Sequence, residues 1–336
     1  MSVAVRIPVV DSSQPGEARR MAIGMALKMG FDETDTGKVA IVVTECATNL
    51  VKHGGGGEIL LHPVTSGDVH GLEVIAVDRG GGMADIEKSL RDGESTSGTS
   101  GEGLGAIVRL SSFYDLYSRP GGGTVLLAQF WPGRHRSAPT ACEVGGFSVA
   151  MMGEEVSGDS WSVRHGPRGC SILVVDGLGH GQAAADAARE AVLAFQESTR
   201  DTPVQCMEVL HARLRSTRGA AAAIATVDID ARRLSFVGVG NIAGVVTGTP
   251  ESKSLVSMSG TLGHNLRVVR EFFYPWSPQS RLILHSDGVS GRWDLGGYPG
   301  LMQSAPVVAA AALYRDMARG KDDATVVVVR ESGAAA

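Results

Sequence analysis

Four acidic signatures punctuate the second half of this sequence: Ser157-Gly158-Asp159, Asp176-Gly177-Leu178-Gly179-His180-Gly181, Ser286-Asp287-Gly288 and Asp322-Asp323-Ala324-Thr325. Most abut an apolar, β-branched run, at residues 170–175, 281–284 and 326–329. Aspartate is a poor strand residue, and a buried carboxylate is costly without a partner. A chain that ends several core strands in carboxylates must therefore fold around something that pairs with them. Mg²⁺ and Mn²⁺ take oxygen ligands, so the pattern points to a metal-dependent hydrolase. Singly, each Asp-Gly reads as a turn; the weight comes from four of them separated by buried strands.

The chain has 336 residues, too many for one ordinary core and enough for two. With 43% hydrophobic and 20% charged residues it has the composition of a globular protein rather than a disordered one. The net charge is −5 and no long basic run occurs, which argues against a nucleic-acid partner. Cys46, Cys142, Cys170 and Cys206 lie far apart and form no C-x-x-C. That spacing disfavours structural zinc and a disulfide framework, and it fits a reducing compartment. No apolar stretch reaches the ~18 residues of a membrane span. Residues 1–11 alternate like a strand and lack the plan of a signal peptide, so a cytoplasmic location is expected.

Proline, glycine and basic residues break the patterning at 131–140. The expected division is a first domain over 1–133, a linker over 134–143, a second domain over 144–331 and a tail over 332–336. In the first, periodicity predicts helices over 15–29, 35–53 (capped by Asp35 or Thr36) and 103–110. Strands are predicted over 3–10, 58–63, 72–77, 113–117 and 123–130, with a Gly/Ser/Thr-rich loop over 79–100. In the second, strands are predicted over 146–152, 160–165, 170–175, 222–228, 233–238, 242–247, 268–274, 281–285 and 324–330. Helices over 182–198, 203–216 and 306–318 interrupt them. Runs of strands with inserted helices indicate a layered α+β fold, not a regular βαβ repeat.

In the first domain Glu45 and Asn49 are four residues apart and share one face of an otherwise apolar helix, with His53 a further turn along. Asp78-Arg79-Gly80-Gly81-Gly82 comes straight off a strand; its glycines let backbone approach a ligand, and its carboxylate suits an amino group. Gly98-Thr99-Ser100-Gly101-Glu102-Gly103-Leu104-Gly105-Ala106 opens a helix, where backbone N–H groups hold phosphate. A polar loop precedes Gly101-x-Gly103-x-x-Ala106, which excludes a Rossmann fingerprint, and Gly37-Lys38 is followed by Val39, which excludes a P-loop. Alone, the first two elements read equally as a solvated polar face and a tight turn.

In this order, Glu45-x-x-x-Asn49, Asp78-x-Gly80-x-Gly82 and Gly101-x-Gly103-Leu104-Gly105 resemble the GHKL ATPases, over residues 1–133. The short length, Asp92-Gly93-Glu94-Ser95-Thr96-Ser97 and Gly121-Gly122-Gly123-Thr124 are similar to the bacterial anti-sigma and switch kinases, nearest the RsbT type. The resemblance implies an α/β sandwich with a mixed sheet and helices on one face. It implies that Asn49 ligates the Mg²⁺ of ATP, that Glu45 is general base for a serine or threonine hydroxyl, and that Asp78 reads adenine. Gly80, Gly82, Gly101, Gly103, Leu104, Gly105 and Thr124 would line the nucleotide. The matched region has no histidine-kinase phosphoacceptor segment, so His53 reads as structural or ATP-adjacent.

Phosphate-monoester hydrolysis is very slow uncatalysed, and a two-cation site accelerates it with carboxylates shared from several strand ends. Residues 144–330 resemble the SpoIIE-like branch of the PPM phosphatases, of the RsbX kind. The resemblance rests on the four acidic signatures together with Gly238-Val239-Gly240-Asn241. It implies an α-β-β-α sandwich. It also implies that Asp176 bridges two Mg²⁺ or Mn²⁺ ions, with Asp159 and the Gly177 carbonyl serving one and Asp287 and Asp322 the other. His180 would shape its loop, Asp323 would support the ligands or hold a third ion, and Asn241 would be a turn residue beside the site. Arg164 and Arg168 are candidate phosphate clamps only by proximity to the motifs.

A kinase-like and a phosphatase-like domain on one chain imply opposed control of one partner's phosphorylation. For the families resembled, that partner is a STAS-domain protein, an anti-sigma antagonist or stressosome component, with a sigma factor and a homodimer as further possibilities. Two other readings fit the same residues: an ATP-binding first domain that docks or sequesters without transfer, and a scaffold whose Asp-Gly pairs are plain turns.

Overall fold

The structure, a computed structural model, describes residues 3–90, 102–133, 135, 139–199, 202–248, 251–266 and 268–333. The chain divides into two compact units, Ala4–Ala138 and a second that groups Met1–Val3 with Pro139–Ala336.

The first unit runs β1 (Val3–Val9), α1 (Gln14–Lys28), α2 (Glu33–Lys52), β2 (Gly57–Ser66), β3 (Val69–Asp78), α3 (Ile86–Leu90), α4 (Glu102–Leu110), β4 (Phe113–Ser118) and β5 (Thr124–Phe130). Its strands lie in the order β1-β2-β3-β5-β4. Each of these four pairs is antiparallel, as short hairpins and a returning helix pair dictate. Alternate residues Ile59, Leu61, Leu72, Val74, Ala128 and Phe130 present one face of the sheet to the helices. Ala18, Ala22 and Ala26 on α1 are fully buried at i, i+4, i+8, so small side chains let α1 pack closely. The α2 stripe of Val39, Val42, Val43, Cys46, Ala47 and Leu50 faces the same core. Glu45 and Asn49 lie off that stripe. The cap of α2 is Asp32, not Asp35 or Thr36: Asp32 is extended (ψ 176°) and its carboxylate accepts from the Asp35 N–H at 2.7 Å. The Asp35 carboxylate instead takes the Lys38 ammonium and the Gly133 N–H.

The second unit begins with β6 (Cys142–Val149), β7 (Asp159–Gly166) and β8 (Gly169–Gly177), then α5 (Gln182–Glu197) and α6 (Pro203–Arg213). Strands β9 (Ala220–Asp228), β10 (Arg233–Val239), β11 (Ala243–Thr247), β12 (Lys253–Ser254), β13 (Ser257–Met258), β14 (Phe272–Pro275) and β15 (Arg281–His285) follow, then α7 (Pro306–Met317) and β16 (Ala324–Glu331). Two sheets face each other, one ordered β12-β11-β15-β16-β6 and the other β13-β10-β9-β8-β7, with β14 also on β10. Ile172, Val174, Ala223, Ala225, Leu234 and Phe236 from the second sheet meet Leu282, Leu284, Val327 and Val329 from the first. The alternate residues Leu173, Val175, Ile224 and Val237 point outward into Ala187, Ala191, Phe195 and Leu210 of α5 and α6. Helix α7, buried along Pro306–Arg315, covers the outside of β6 and β16. The layers are α-β-β-α. The parallel component expected in the first domain lies here, in the β10–β13 pair.

A strand expected over 268–274 contracts to β14, which pairs Phe272–Pro275 with Arg233–Phe236 of β10. Beyond Phe236 the same edge of β10 is taken by β13, opposite Gly238 and Val239, so β14 has no partner to extend along. No described helix is long and apolar enough to cross a membrane.

Candidate functional site

In the second unit, strand geometry carries the acidic residues to one place. Asp159 opens β7 and Asp176 nearly closes β8, and the two stand directly opposite in the hairpin register. Asp287 lies two residues past β15, and Asp322 two before its antiparallel neighbour β16. Asp176, Asp287 and Asp322 line one cavity of about 510 Å³. Asp159 sits deeper, 1% exposed, with its Oδ2 lacking a hydrogen-bond partner.

The glycines of the acidic signatures are there for space. A Cβ on Gly177 would fall 2.2 Å from the Ala184 carbonyl, and one on Gly288 would fall 1.9 Å from the Asp323 carbonyl. The Gly177 N–H donates to the Gly158 carbonyl at 2.9 Å, closing the mouth of the β7–β8 hairpin.

Asn241 does more than the turn residue its spacing suggests, while Asp323 supports a ligand-bearing loop as expected. Asn241, expected as a turn residue, donates its amide to Asp176 Oδ2 at 2.9 Å and to Asp287 Oδ2 at 2.7 Å, tethering the ends of two sheets. Asp323, 3% exposed, accepts from the Met151 and Gly158 N–H groups, both at 2.7 Å, and so clamps the Ser157-Gly158-Asp159 loop. His180 pairs with Glu154 at 2.7 Å on the surface. Arg164 and Arg168 are no clamps. They lie toward the Gly166–Gly169 end of the hairpin, opposite the Asp159–Asp176 end. Arg164 is stacked over Phe195 and donates to the Ser198 carbonyl.

Burial first, and then the charge of Asp176, hold the Asp159 carboxyl far above the usual carboxylate range; the Ser286 and Thr325 hydroxyls offset this in part. Burial also pushes Asp176 up to about 7; the Asn241 amide opposes the shift, and the charges of Asp287, Asp322 and Asp323 add to it. An orphaned carboxylate oxygen and repelling neighbours are the signature of a site that a multivalent cation would relieve. Among the described residues no three Asp, Glu, His or Cys side chains close into a preformed ligand shell. The carboxylates converge on the cavity more loosely than that, with the Asn241 amide between Asp176 and Asp287. The residues fit divalent metal, and ligation would require them to close in.

In the first unit Asp78, at the end of β3, accepts from the Gly80 N–H at 2.8 Å and the Thr124 N–H at 3.2 Å through Oδ1. The Gly121 N–H reaches the Gly81 carbonyl and the Gly123 N–H the Gly80 carbonyl, knitting the two glycine turns together. Gly123 has φ +69°, and a Cβ there would fall 2.1 Å from the Asp78 carbonyl, so only glycine fits. A Cβ on Gly82 would meet the Arg119 carbonyl at 2.0 Å. Thr124 shares a hydrogen bond with Ser118 at 3.0 Å. Glu45 and Asn49 face the first turn of α4, where a Cβ on Gly103 would lie 2.6 Å from Glu45 Oε2 and 4.0 Å from Asn49 Oδ1. Leu104 and Gly105 continue that turn; Gly101 falls outside the described residues. A carboxylate, an amide and a helix N-terminus brought together in this way suit a metal-bound triphosphate.

Comparison with known proteins covers both units. Residues 10–130 match the histidine kinase-like ATPase domain family, and residues 166–331 match the stage II sporulation protein E (SpoIIE) family. The serine/threonine-protein kinase RsbT of Bacillus subtilis (strain 168) is 36% identical over 114 residues, 34% of this chain and 86% of RsbT. The phosphoserine phosphatase RsbX of the same organism is 22% identical over 146 residues, 43% of this chain and 73% of RsbX. Among solved structures, a chain from work on the bacterial stressosome is 28% identical with a TM-score of 0.52, covering 56% of this chain and 99% of that one. The crystal structure of RsbX in complex with magnesium is 20% identical with a TM-score of 0.52, covering 58% of this chain and 98% of that one, and shares the fold.

Proposed function

We infer, because this chain belongs to the RsbT-like histidine kinase-like ATPases through residues 10–130 and carries a SpoIIE-family PPM phosphatase domain over residues 166–331, that it is a bifunctional partner-switching regulator. Its first unit phosphorylates a serine or threonine of a STAS-domain protein from ATP, and its second removes that phosphate. The observation carrying this reading is the convergence of Asp176, Asp287 and Asp322 on one cavity, with the unpartnered Oδ2 of Asp159 behind it. The likeness to RsbT and to a stressosome structure supports the choice of partner.

Asp159, Asp176, the Gly177 carbonyl, Asp287 and Asp322 would hold Mg²⁺ or Mn²⁺. Bound there, the ions supply an ionised water and neutralise the phosphoryl charge. Asn241 keeps Asp176 and Asp287 facing each other, and Asp323 holds the loop that presents Asp159. In the first unit Asn49 would hold the metal of ATP, and Asp78 would accept from adenine. Gly80, Gly82, Gly101, Gly103, Leu104, Gly105 and Thr124 would line the nucleotide. Glu45, one turn from Asn49, takes the proton of the attacking hydroxyl. The test is direct: the purified chain should phosphorylate a STAS-domain antagonist with Mg-ATP, and with Mn²⁺ and no ATP it should release phosphate from the phosphorylated form. Failure of Mn²⁺-dependent release sinks the phosphatase half, and failure of transfer sinks the kinase half.

Metal binding should be proton-linked. Asp176 titrates near 7 when folded, against 3.8 for an ordinary aspartate. Between those values the folded chain keeps a proton that the unfolded chain has lost, so metal-free stability falls as pH rises across the window. A cation must displace that proton, so its affinity grows with pH until Asp176 is ionised. Added Mn²⁺ should therefore raise the melting temperature of the full chain more at pH 8 than at pH 6. Equal shifts at both pH values would show that Asp176 is not a ligand.

A further inference from the structure

We propose that Arg218 binds the phosphoryl oxygens of the phosphoprotein substrate at the rim of the carboxylate cavity, an assignment that rests on the phosphatase reading above. Among the described residues no Lys or Arg lines the cavity that holds Asp176, Asp287 and Asp322. A protein cation that adds grip to that of the divalent ions must therefore stand at the edge, and a guanidinium suits phosphate because its planar fork donates in parallel.

Arg218 stands at that edge. It lies in the turn before β9, and an ideal Cβ on Gly179 would stand 3.2 Å from its Nη1. Gly179, with φ +83°, lines the cavity three residues beyond Asp176. The absence of a side chain at 179 is what lets the guanidinium lie on that loop. The backbone beneath it is pinned from three sides. The Leu178 N–H donates to the Gly219 carbonyl at 3.0 Å, the Gly219 N–H donates to Thr217 Oγ1 at 3.0 Å, and His264 Nε2 lies 2.9 Å from the Arg218 carbonyl. His264 belongs to the segment whose Gly260 and Thr261 line the cavity from the other side. Among the described residues the Arg218 side chain makes no ion pair and no hydrogen bond, and it is exposed. An unneutralised guanidinium on a pinned backbone, lying against Gly179 at the rim of an acidic cavity, is placed for an incoming anion and not for stability.

The test uses the full chain with Mn²⁺, p-nitrophenyl phosphate and a phosphorylated STAS-domain protein. Arg218→Ala should raise KM for the phosphoprotein about tenfold or more, the loss of one charge-assisted contact. The inhibition constant of inorganic phosphate should rise in step, and the melting temperature should hold. Arg218→Lys should recover part of the loss, because it keeps the charge without the fork. Arg164→Ala, at the far end of the hairpin, should leave both constants unchanged. An inactive wild-type chain would refute the phosphatase reading. An active wild type whose KM and phosphate inhibition are untouched in Arg218→Ala would refute this assignment alone.

Discussion

Replacing Asp176 by Asn should abolish metal-dependent phosphate release, by about a thousandfold or more given the barrier such sites overcome, while making the metal-free chain more stable. Asparagine keeps the shape of the side chain and its contact with the Asn241 amide, now as a neutral acceptor. It removes the charge that stands opposite Asp159 and in the field of Asp287, Asp322 and Asp323. Those neighbours and burial hold the Asp176 carboxyl at about 7, so its ionised form is a liability in the empty site. Relief of that liability should be worth about 1–3 kcal/mol at pH 8 and should appear as a higher melting temperature without added metal. Mn²⁺ should then give little further stabilisation. Phosphate release and calorimetry on the same preparation check both halves. A variant that keeps activity would show that Asp176 is not shared between cations, and one that is inactive but less stable would mean the fold had been damaged instead.

The acidic signatures were legible because aspartates at the ends of β-branched runs contradict local propensity, and such contradictions mark sites. The layered α+β class was legible in the runs of strands with inserted helices, and the continuous apolar run at 170–175 marks a strand buried on both faces; the α-β-β-α order came only with the resemblance to the PPM phosphatases. Asn241 was not legible in its role. Its tether depends on Asp176 and Asp287 arriving from different sheets, and the only local sign was the Gly240-Asn241 pair after a strand. For Asp323 the supporting role was expected, but not its partners, since a clamp on the Met151 and Gly158 N–H groups is a tertiary fact. Nearness in sequence misled at Arg164, because along a strand a few residues carry a side chain many ångströms from the motif. For the cap of α2, Asp32, Asp35 and Thr36 are all competent, and only backbone geometry selects Asp32. In the first unit Glu45, Asn49 and Gly103 were legible as separate motifs, and their meeting across α2 and α4 followed only from the resemblance to the GHKL ATPases.

That meeting leads to the second large effect: Glu45→Gln should leave ATP affinity within a few-fold of wild type and cut phosphotransfer by about 10²–10⁴, the range for losing a positioned general base. Glu45 lies one helical turn from Asn49, and both face Gly103 at the start of α4. Gln fits the same space beside Gly103, so the packing of α2 against α4 survives and only proton acceptance is lost. Asn49→Ala removes a different function. It deletes the amide expected to hold the metal of ATP, so nucleotide affinity itself should fall. The measurement combines calorimetric ATP binding with transfer from γ-labelled ATP to a STAS-domain protein, in the Asp176→Asn background so that the second unit does not erase the product. The contrast separates catalysis from docking. A first unit that only binds ATP and holds a partner gives no transfer in the wild type, and its partner capture is indifferent to Glu45→Gln. A first unit that is a kinase gives transfer that Glu45→Gln removes with ATP still bound, because the substituted atom is a base for the hydroxyl and not a ligand of the nucleotide.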